Sequence, residues 1–520
     1  MAGKLYDVVV IGSGAGGGTL SARLASLGAD VLVLEGGPKV DTRTDFNTHA
    51  LPFEFPSRHI PIMKPGKPGY DGERSRGLGG KTMLWNAVAL RMSQRDFKGR
   101  QHDGAGEDWP IDYTDIAPYY DRIESEIGVC GNYDHLEDLP DGIFLPPVPM
   151  KCTDVAVKNG AAKLDIPVIH VRKATLSRAT RTRPACHFCG NCMSGCDVVA
   201  KYNSFDVHMN PAMKTGKLTL QQNSVVYDLA VSDEARVKEV RYFDRETRAQ
   251  GVALGRVAVV ACACAQSVAL LLMSKSSRFP TGLGNSSGEL GRNFIPHINA
   301  GFEFFLEDFI GKPAVNDEGF LDHAYIPSFM HAKKRDYPRS FGIQFNYQNH
   351  RAVGWARNVK GMGRSYKESV KAKYPAYLTL TPYQEMLPNP DSYIDLDYDD
   401  LDTCGLPRAR RHWKLSDSDW KHHNDMKSWC TAIIGASKGQ IHSVSPQPNT
   451  NHEIGGCRMG ADPKRSVVNE FCRSHDVPNL YVVDASVFPS ASEKNPTLTI
   501  MALASRTADH IADRLQRREV

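Results

Sequence analysis

The chain has 520 residues, which is too long for one simple core and predicts two or three domains. Its 41% hydrophobic and 23% charged residues are typical of a soluble globular protein. The small net charge of +4 argues against a dedicated nucleic-acid surface, and no stretch has the apolar length of a transmembrane span.

The first part of the chain has the pattern of a dinucleotide-binding βαβ unit. The β-branched run at residues 8–11 predicts a strand buried on both faces, and a G-x-G-x-x-G sequence follows it directly. Residues 18–27 predict a helix, and residues 30–34 predict a second strand that ends at Glu35. The glycines allow a pyrophosphate to approach the helix N-terminus, while the carboxylate can accept a hydrogen bond from a ribose hydroxyl.

A glycine turn that only connects two elements is the alternative interpretation of this unit. The complete order of strand, glycines, helix, strand and acid favours dinucleotide binding instead. The residues predicted to bind the dinucleotide here are Gly12, Ser13, Gly14, Ala15, Gly17 and Glu35. The unit alone does not distinguish FAD from NAD.

Four of the twelve cysteines lie close together, at Cys186, Cys189, Cys192 and Cys196. No cleavable apolar region precedes the first strand, so we expect no signal peptide on this chain, and a thiol cluster then favours metal over disulfides. The C-x2-C-x2-C-x3-C spacing is that of bacterial ferredoxins. Structural zinc usually takes two separated C-x2-C pairs. We therefore predict an iron–sulfur cluster, with zinc and inert buried thiols as alternatives.

Three parts of the sequence resemble the glucose–methanol–choline (GMC) oxidoreductase family of FAD enzymes. They are the glycine fingerprint, the GLGGKTMLWNA block at residues 77–87, and the C-terminal segments at residues 451–460 and 480–505. The sequence at residues 107–131 resembles the sugar-oxidising branch of the family, which includes pyranose oxidases and bacterial FAD sugar dehydrogenases.

The resemblance implies an α/β fold (α+β overall), with a Rossmann-like FAD-binding domain and a substrate-binding domain built on a mixed or antiparallel sheet. We expect the FAD-binding domain to comprise residues 1–90, 215–299 and 446–520. Residues 91–214 would form a cap or connecting region with the cysteine cluster, and residues 300–445 the substrate-binding domain.

The resemblance also assigns two catalytic residues, His452 and Asn495, which in the family face the flavin N5. Alcohol oxidation needs such a pair, because an imidazole can accept the hydroxyl proton and an amide can hold the same oxygen. A satisfied core histidine and a simple helix cap are the respective alternatives. Leu84 occupies the position of the histidine that binds FAD covalently in some relatives, so we expect non-covalent FAD.

The other FAD contacts expected from the resemblance are distributed along the chain. They are Gly79, Gly80, Asn86, Val226, Ala261, Asp484, Ala485, Asn495, Pro496 and Thr497. A G-R-N-F sequence followed by His297 also matches a family segment, but His297 has no catalytic claim comparable to that of His452. His422 and His423 lie in a polar sequence that predicts a helix, and we expect both on a solvated surface.

The function that follows is an FAD-dependent dehydrogenase of a sugar or glycoside hydroxyl, with C3 oxidation to a 3-keto sugar as first choice. Oxidation at C1 or C2 of an aldose or aldonate comes next. The alternatives are a sugar or glycoside oxidase that uses O2, and a non-catalytic electron-transfer flavoprotein. Electrons would leave through the iron–sulfur cluster, for which the resemblance implies a 3Fe-4S or 4Fe-4S type, to a c-type cytochrome or a quinone. We expect cytoplasmic protein, or periplasmic protein co-exported with a small signal-bearing subunit.

Overall fold

The protein is described here by a computed structural model that covers residues 4–46, 76–190, 192–313, 324–333, 335–345 and 354–520. The α-helices are α1 Ala15–Ser26, α2 Gln94–Phe97, α3 Gly99–Asp103, α4 Tyr113–Ile127, α5 Cys152–Ala162, α6 Asn210–Met213, α7 Cys264–Met273, α8 Gly363–Lys373, α9 Asp417–Ala436 and α10 Thr497–Gln516. The first nine strands are β1 Leu5–Ile11, β2 Val31–Leu34, β3 Val129–Cys130, β4 Phe144–Leu145, β5 Ile169–His170, β6 Leu218–Gln221, β7 Ser224–Val231, β8 Val237–Asp244 and β9 Gln250–Val260. The remaining strands are β10 His297–Asn299, β11 Phe302–Leu306, β12 Ala324–Ile326, β13 Phe341–Phe345, β14 Tyr377–Gln384, β15 Tyr393–Leu401, β16 Pro407–His412, β17 Gly439–Val444, β18 Asn449–Asn451 and β19 Leu480–Val482.

The first sheet contains the predicted dinucleotide-binding unit. Strands β6, β2, β1, β9 and β19 run parallel in that order, and β7 and β8 extend the N-terminal half of β9 as antiparallel strands. The β-branched residues of β1 are buried, since β1 lies between β2 and β9 and α1 packs against it. The predicted βαβ unit is therefore confirmed as a structural element.

The second sheet is antiparallel and has eight strands, as the sequence predicts for the substrate-binding domain. Its main order is β17, β11, β14, β13, β12, β5, with β10 lying between β14 and β18. Helices α5 and α9 pack against each other, and α9 covers β14 and β17. Strands β10 and β18 belong to this sheet, although the sequence boundaries at 299 and 446 assign them to the FAD-binding domain.

Strands β15 and β16 form a separate antiparallel hairpin, with Ile394 opposite Arg411. Its first strand begins at Tyr393. Within the part of the chain that the structure describes, no helix is long and apolar enough to span a bilayer.

The expectation that His422 and His423 lie on a solvated surface is wrong. Both are buried, at 2% exposure, on the face of α9 that also carries Met426 and Cys430. The His422 ring stacks on the Tyr337 ring with centroids 4.4 Å apart. The aromatic partner lies far away in sequence, so the polar residues around the two histidines gave no sign of this burial.

Candidate active site

Two glycines of the fingerprint lie in close contact with neighbouring backbone, and a third borders open space. A Cβ on Gly12, whose φ is +101°, would lie 2.4 Å from the Ala261 carbonyl oxygen, and one on Gly17 would lie 2.0 Å from the Gly12 oxygen. A Cβ on Gly14 would meet nothing within 4 Å. This open space lies just before α1, which begins at Ala15 and has no acidic residue in its first turn. Such a helix N-terminus suits an anion like the pyrophosphate of a dinucleotide.

Glu35 is held at the carboxyl end of β2 by three hydrogen bonds. Its Oε2 accepts from the Ser13 amide at 3.1 Å and the Ser13 hydroxyl at 2.5 Å, and its Oε1 accepts from the Gly37 amide at 2.9 Å. Burial raises the pKa of the Glu35 carboxyl, while these hydrogen bonds oppose the shift. The Ser13 hydroxyl also accepts from the Gly79 amide at 2.9 Å, which links the fingerprint to the second glycine block.

One cavity runs from this fingerprint to the C-terminal segments. The sequence-predicted site residues that line it are Gly12, Ser13, Gly14, Ala15, Glu35, Gly80, Val226, Ala261, His452, Asp484, Ala485, Pro496 and Thr497. Gly17, Gly79, Asn86 and Asn495 are not among its lining residues. Asn86 instead accepts a hydrogen bond from the Lys173 ammonium at 3.1 Å.

Asp484 supplies a second buried carboxylate to the cavity, directly after β19. Its Oδ2 accepts from the Ser267 hydroxyl at 2.5 Å, and its Oδ1 accepts from the Ser486 amide at 2.8 Å. Burial raises the pKa of Asp484, and these hydrogen bonds act in the opposite direction. The cavity therefore has an oriented acceptor at Glu35 and another at Asp484, which suits a ligand carrying hydroxyl groups.

The predicted catalytic pair is in contact in the structure. Nδ2 of Asn495 lies 3.3 Å from Nε2 of His452. The Asn495 Oδ1 accepts a hydrogen bond of 2.5 Å from Nε2 of Gln344, a buried residue of β13. Because the amide oxygen is occupied by Gln344, the donor side of Asn495 is the one that faces the imidazole.

A second histidine, for which the sequence predicts no catalytic role, contacts His452. Nδ1 of His297 lies 3.0 Å from Nδ1 of His452, since β10 pairs with β18 and brings His297 opposite Asn451. His297 is completely buried, and burial lowers its pKa to about 4, so its ring is neutral at neutral pH. The family-like segment that ends at His297 was the available signal for this residue.

The arrangement can act as a general base. With its Nδ1–H donated to the neutral His297, the imidazole of His452 is unprotonated at Nε2. That lone pair accepts the long hydrogen bond of 3.3 Å from Asn495, and a substrate hydroxyl that takes the place of this contact can give Nε2 its proton. The ring centroids of Tyr383 and His452 are 5.4 Å apart, so the Tyr383 ring limits the positions that the imidazole can adopt. Nε2 and the Asn495 amide are then available to one substrate oxygen.

The predicted iron–sulfur site is not supported by the geometry. Over the described residues, which omit residue 191 of this segment, no group of three or more His, Cys, Asp or Glu side chains is arranged to hold a metal ion. The thiol sulfurs of Cys186 and Cys196 accept long hydrogen bonds of 3.4 Å from the backbone amides of Phe188 and Lys201. Among the described residues, the close spacing of the cysteines in sequence is therefore not accompanied by an assembled set of metal ligands.

The cysteine segment is nevertheless tied to the wall of the cavity. The buried ammonium of Lys201 donates to the carbonyl oxygens of Met83 and Trp85, each at 3.0 Å, and of Cys192 at 2.5 Å. Trp85 lines the cavity. A positive charge buried among carbonyl oxygens thus joins the two segments.

Comparisons with known proteins agree with this architecture. Two family profiles, both described as GMC oxidoreductase, match residues 72–299 and 388–504. The fructose dehydrogenase large subunit of Gluconobacter japonicus is 28% identical, over 98% of this chain and 98% of that protein. The 2-methyl-1,2-propanediol dehydrogenase of Mycolicibacterium austroafricanum is 29% identical, over 98% of this chain and 95% of that protein. A solved formate oxidase has a TM-score of 0.70 at 13% identity, covering 100% of both chains, which concerns the fold alone.

Proposed function

The chain belongs to the GMC oxidoreductase family of FAD-dependent enzymes that act on CH–OH donors, and from this premise we propose that it is a dehydrogenase of a sugar or glycoside hydroxyl. The observation that carries the proposal is the contact of Asn495 with Nε2 of His452, at a cavity that also contains the dinucleotide fingerprint. The names of the two relatives, a fructose dehydrogenase and a diol dehydrogenase, support a substrate with several hydroxyl groups.

The residues of the cavity fit FAD. The open space at Gly14 and the carboxylate of Glu35 would hold the pyrophosphate and a ribose, and Asp484 would accept from hydroxyls of the ribityl chain. Bound FAD supplies the hydride acceptor. His452 takes the hydroxyl proton at Nε2, and the Asn495 amide donates to the same oxygen to orient it. His297 accepts at Nδ1 and so keeps the Nε2 of His452 unprotonated before the reaction.

We further propose C3 of the sugar ring as the oxidised carbon, with C1 and C2 as the next choices. The support is the resemblance to the sugar-oxidising branch. Anaerobic mixing of the purified protein with a panel of sugars and glycosides should bleach the flavin absorbance, and NMR of the product should identify a 3-keto sugar. The His452→Ala variant is the matched control, because it should bind FAD but bleach slowly. If no sugar bleaches the wild-type flavin, the electron-transfer flavoprotein becomes the better proposal.

FAD is proposed to be non-covalent, because Leu84 cannot form a histidyl bond. This residue ends the short 3-10 helix Gly80–Met83 and does not line the cavity. Acid precipitation should leave the flavin in the supernatant. Flavin that stays with the precipitated polypeptide contradicts the proposal.

The route by which electrons leave is a separate proposal that rests on the cysteine spacing and the resemblance. An iron–sulfur cluster at Cys186, Cys189, Cys192 and Cys196 would serve a one-electron acceptor such as a c-type cytochrome or a quinone. Protein purified without air should contain iron, and Cys189→Ser should remove it. Zinc or no metal contradicts this proposal. Rapid oxygen consumption during turnover would favour the oxidase alternative.

The partners and the compartment are also proposed. A small signal-bearing subunit would carry the folded chain to the periplasm, and without it the chain would stay in the cytoplasm. The relative named as a large subunit supports the idea of an assembly. Cell fractionation followed by affinity purification should recover a second subunit in the periplasmic fraction, and recovery of the lone chain from cytoplasm alone contradicts it.

A further inference from the structure

The hairpin of β15 and β16 forms one wall of the cofactor cavity, a role that neither the sequence patterns nor the comparisons assign. Its lining residues are Asp402, Leu406, Pro407, Arg408, Ala409 and Arg411. The facing wall is built by Glu35 and by residues 224–226 of β7. This is the half of the cavity in which the ribose and adenine are expected. The hairpin lies outside both predicted sets of FAD contacts.

The tip of the hairpin is held by a half-buried ion pair. Arg76 pairs with Oδ2 of Asp402 and donates a further hydrogen bond of 2.5 Å to Sγ of Cys404. The side chain of Asp402 is only 9% exposed, and its Oδ1 accepts from the amides of Cys404 at 2.8 Å and Leu406 at 3.0 Å. One carboxylate therefore both shapes the tip and attaches it to the opposite wall.

Arg76 also connects this pair to the expected ribose position. Arg76 lines the cavity, and its positive charge lowers the pKa of Glu35 against the larger effect of burial. The Arg76 guanidinium therefore interacts with the carboxylates of both Asp402 and Glu35. The tip of the hairpin is consequently attached at the carboxyl end of β2, where the dinucleotide is expected to be covered.

Apolar contacts and a second arginine support the same tip. Cys404 is 1% exposed and packs with Val225 and Phe243. Arg248 donates to the Cys404 carbonyl oxygen at 2.8 Å, and its guanidinium lies 4.0 Å from the centroid of the Phe243 ring. These contacts bring the tip against β7 and β8.

The base of the hairpin is attached independently, near the candidate catalytic pair. The Ile394 amide donates to the Gly291 carbonyl at 2.7 Å, and a Cβ on Gly291 would lie 2.4 Å from the Ile394 oxygen. Arg411 forms a buried ion pair of 2.6 Å with Glu453, the residue after His452. Because the base has its own attachments, loss of the tip contact should free the tip without detaching the hairpin.

We propose that the β15–β16 hairpin is part of the FAD site and that the Arg76–Asp402 ion pair retains the cofactor by holding the hairpin tip over the cavity. This inference rests on the FAD dependence of the family and not on which hydroxyl is oxidised. A failure of the sugar assignment therefore leaves it intact. Its direct consequence is a rate constant of FAD release that depends on the ion pair.

The test compares two conservative variants on the same hairpin. Asp402→Asn removes the tip ion pair. Asp395→Asn removes the ion pair of 2.7 Å between Asp395 and Arg410. The side chains of these two residues are 35% and 47% exposed. Neither Asp395 nor Arg410 lines the cavity. Any general loosening of the hairpin by the loss of a carboxylate should therefore show in both variants.

The measurement is the fluorescence of free FAD released from purified holoenzyme after dilution into FAD-free buffer. We expect Asp402→Asn to raise the release rate constant about 10-fold, which corresponds to roughly 1.4 kcal/mol. Asp395→Asn should stay within about 2-fold of wild type, since exposed ion pairs contribute little. A wild-type rate in Asp402→Asn overturns the proposal, and so does an equal acceleration by both variants.

A second variant covers the case in which Asp402→Asn does not fold. Arg76→Gln removes the cation and leaves the Asp402 hydrogen bonds that shape the tip. Its FAD release should also be about 10-fold faster than wild type, and a wild-type rate overturns the proposal. Urea unfolding of the FAD-free proteins should give the same midpoint for wild type and Arg76→Gln. A lowered midpoint would instead assign the pair to folding and overturn the proposal.

Discussion

Nδ1 of His297 lies 3.0 Å from Nδ1 of His452, so the two rings share one hydrogen at this contact. Burial keeps His297 neutral by lowering its pKa to about 4. When His452 gains a proton at Nε2 it can donate from Nδ1 to His297, which stabilises the imidazolium that forms. His297 is therefore a positioning residue for the proposed base, acting through His452 and not on the substrate.

Replacing His297 should lower the rate of hydride transfer, whereas the affinity for the substrate should change little. His297→Leu removes the acceptor, and we expect kcat to fall by about 10- to 100-fold, within the range for a perturbed general base. His297→Asn keeps an acceptor oxygen and should recover part of the loss, while KM and FAD content stay close to wild type. Steady-state turnover at several substrate concentrations measures kcat and KM separately, and stopped-flow flavin reduction measures the rate of the hydride-transfer step itself. Equal losses in both variants would indicate only a packing role.

Removing the proposed base itself should have a larger effect. His452→Ala should slow flavin reduction by roughly 10²- to 10⁴-fold, as expected for a lost general base. Asn495→Ala should lose less, because the amide orients and does not take the proton. The control is His475→Asn, at a ring that contacts Ser466 and Gly460. A His452→Ala protein that reduces its flavin at the wild-type rate removes this residue from the mechanism.

The sequence predicts the dinucleotide-binding unit because all the residues that define the unit lie close together in the chain. The buried strand, the glycines and Glu35 follow one another within one βαβ unit. Their order along the chain therefore already places the glycines and Glu35 at the same edge of the sheet. His452 and Asn495 were identified through the family resemblance, and their contact depends on β18 and on the turn before α10 coming together. His297 could not be paired with His452 from the sequence, since the pairing of β10 with β18 is a long-range event.

The burial of His422 and the hairpin wall of the cavity also depend on contacts between distant parts of the chain, and the sequence predicts neither. His422 was expected in water because its neighbours in sequence are polar, yet Tyr337 covers it from another part of the chain. The hairpin wall could not be predicted because β16 places Arg408 and Arg411 in the cavity lining on either side of the half-exposed Arg410, and such a run of charged residues is typical of a solvated hairpin. The cysteine spacing, conversely, is a strong local pattern for which the described residues provide no assembled ligand set.

A buried ion network should control the stability of the segment that carries Asn495. The ammonium of Lys494, 2% exposed, lies 2.9 Å from Asp96 and 2.8 Å from Glu493. Lys494→Met would leave both carboxylates buried without their cation, and we expect the free energy of unfolding to fall by about 3–5 kcal/mol. Urea denaturation measures this change.

The control for that prediction is an exposed lysine with the same ion-pair length. Lys414 lies 2.9 Å from Asp391, with the side chains 71% and 62% exposed. Lys414→Met should leave the free energy of unfolding close to that of wild type, because exposed ion pairs contribute little. Adding Asp96→Asn to Lys494→Met should restore part of the stability, because one uncompensated charge is then removed. No difference between the two lysine variants would contradict the buried network.

The last prediction concerns acid stability and the buried ring of His422. Burial lowers the pKa of His422 to about 3, and the charges of Arg335 and His423 act in the same direction. In the unfolded chain the pKa is about 6.5. Between these two values the unfolded state binds a proton that the folded state does not, so the free energy of unfolding decreases as the pH falls from 6.5 toward 3.

His422→Phe keeps a ring to stack on Tyr337 and removes the titrating group. We expect its free energy of unfolding, measured by urea denaturation at a series of pH values, to fall less steeply between pH 6.5 and 4.5 than that of wild type. The remaining slope has other sources, since burial also lowers the pKa of His297 and of His331 to about 4. His102→Gln, at an exposed position of α3, should leave the wild-type slope unchanged. If His422→Phe has the wild-type slope, the ring of His422 takes up its proton in the folded protein, and its burial is not the cause of the acid sensitivity.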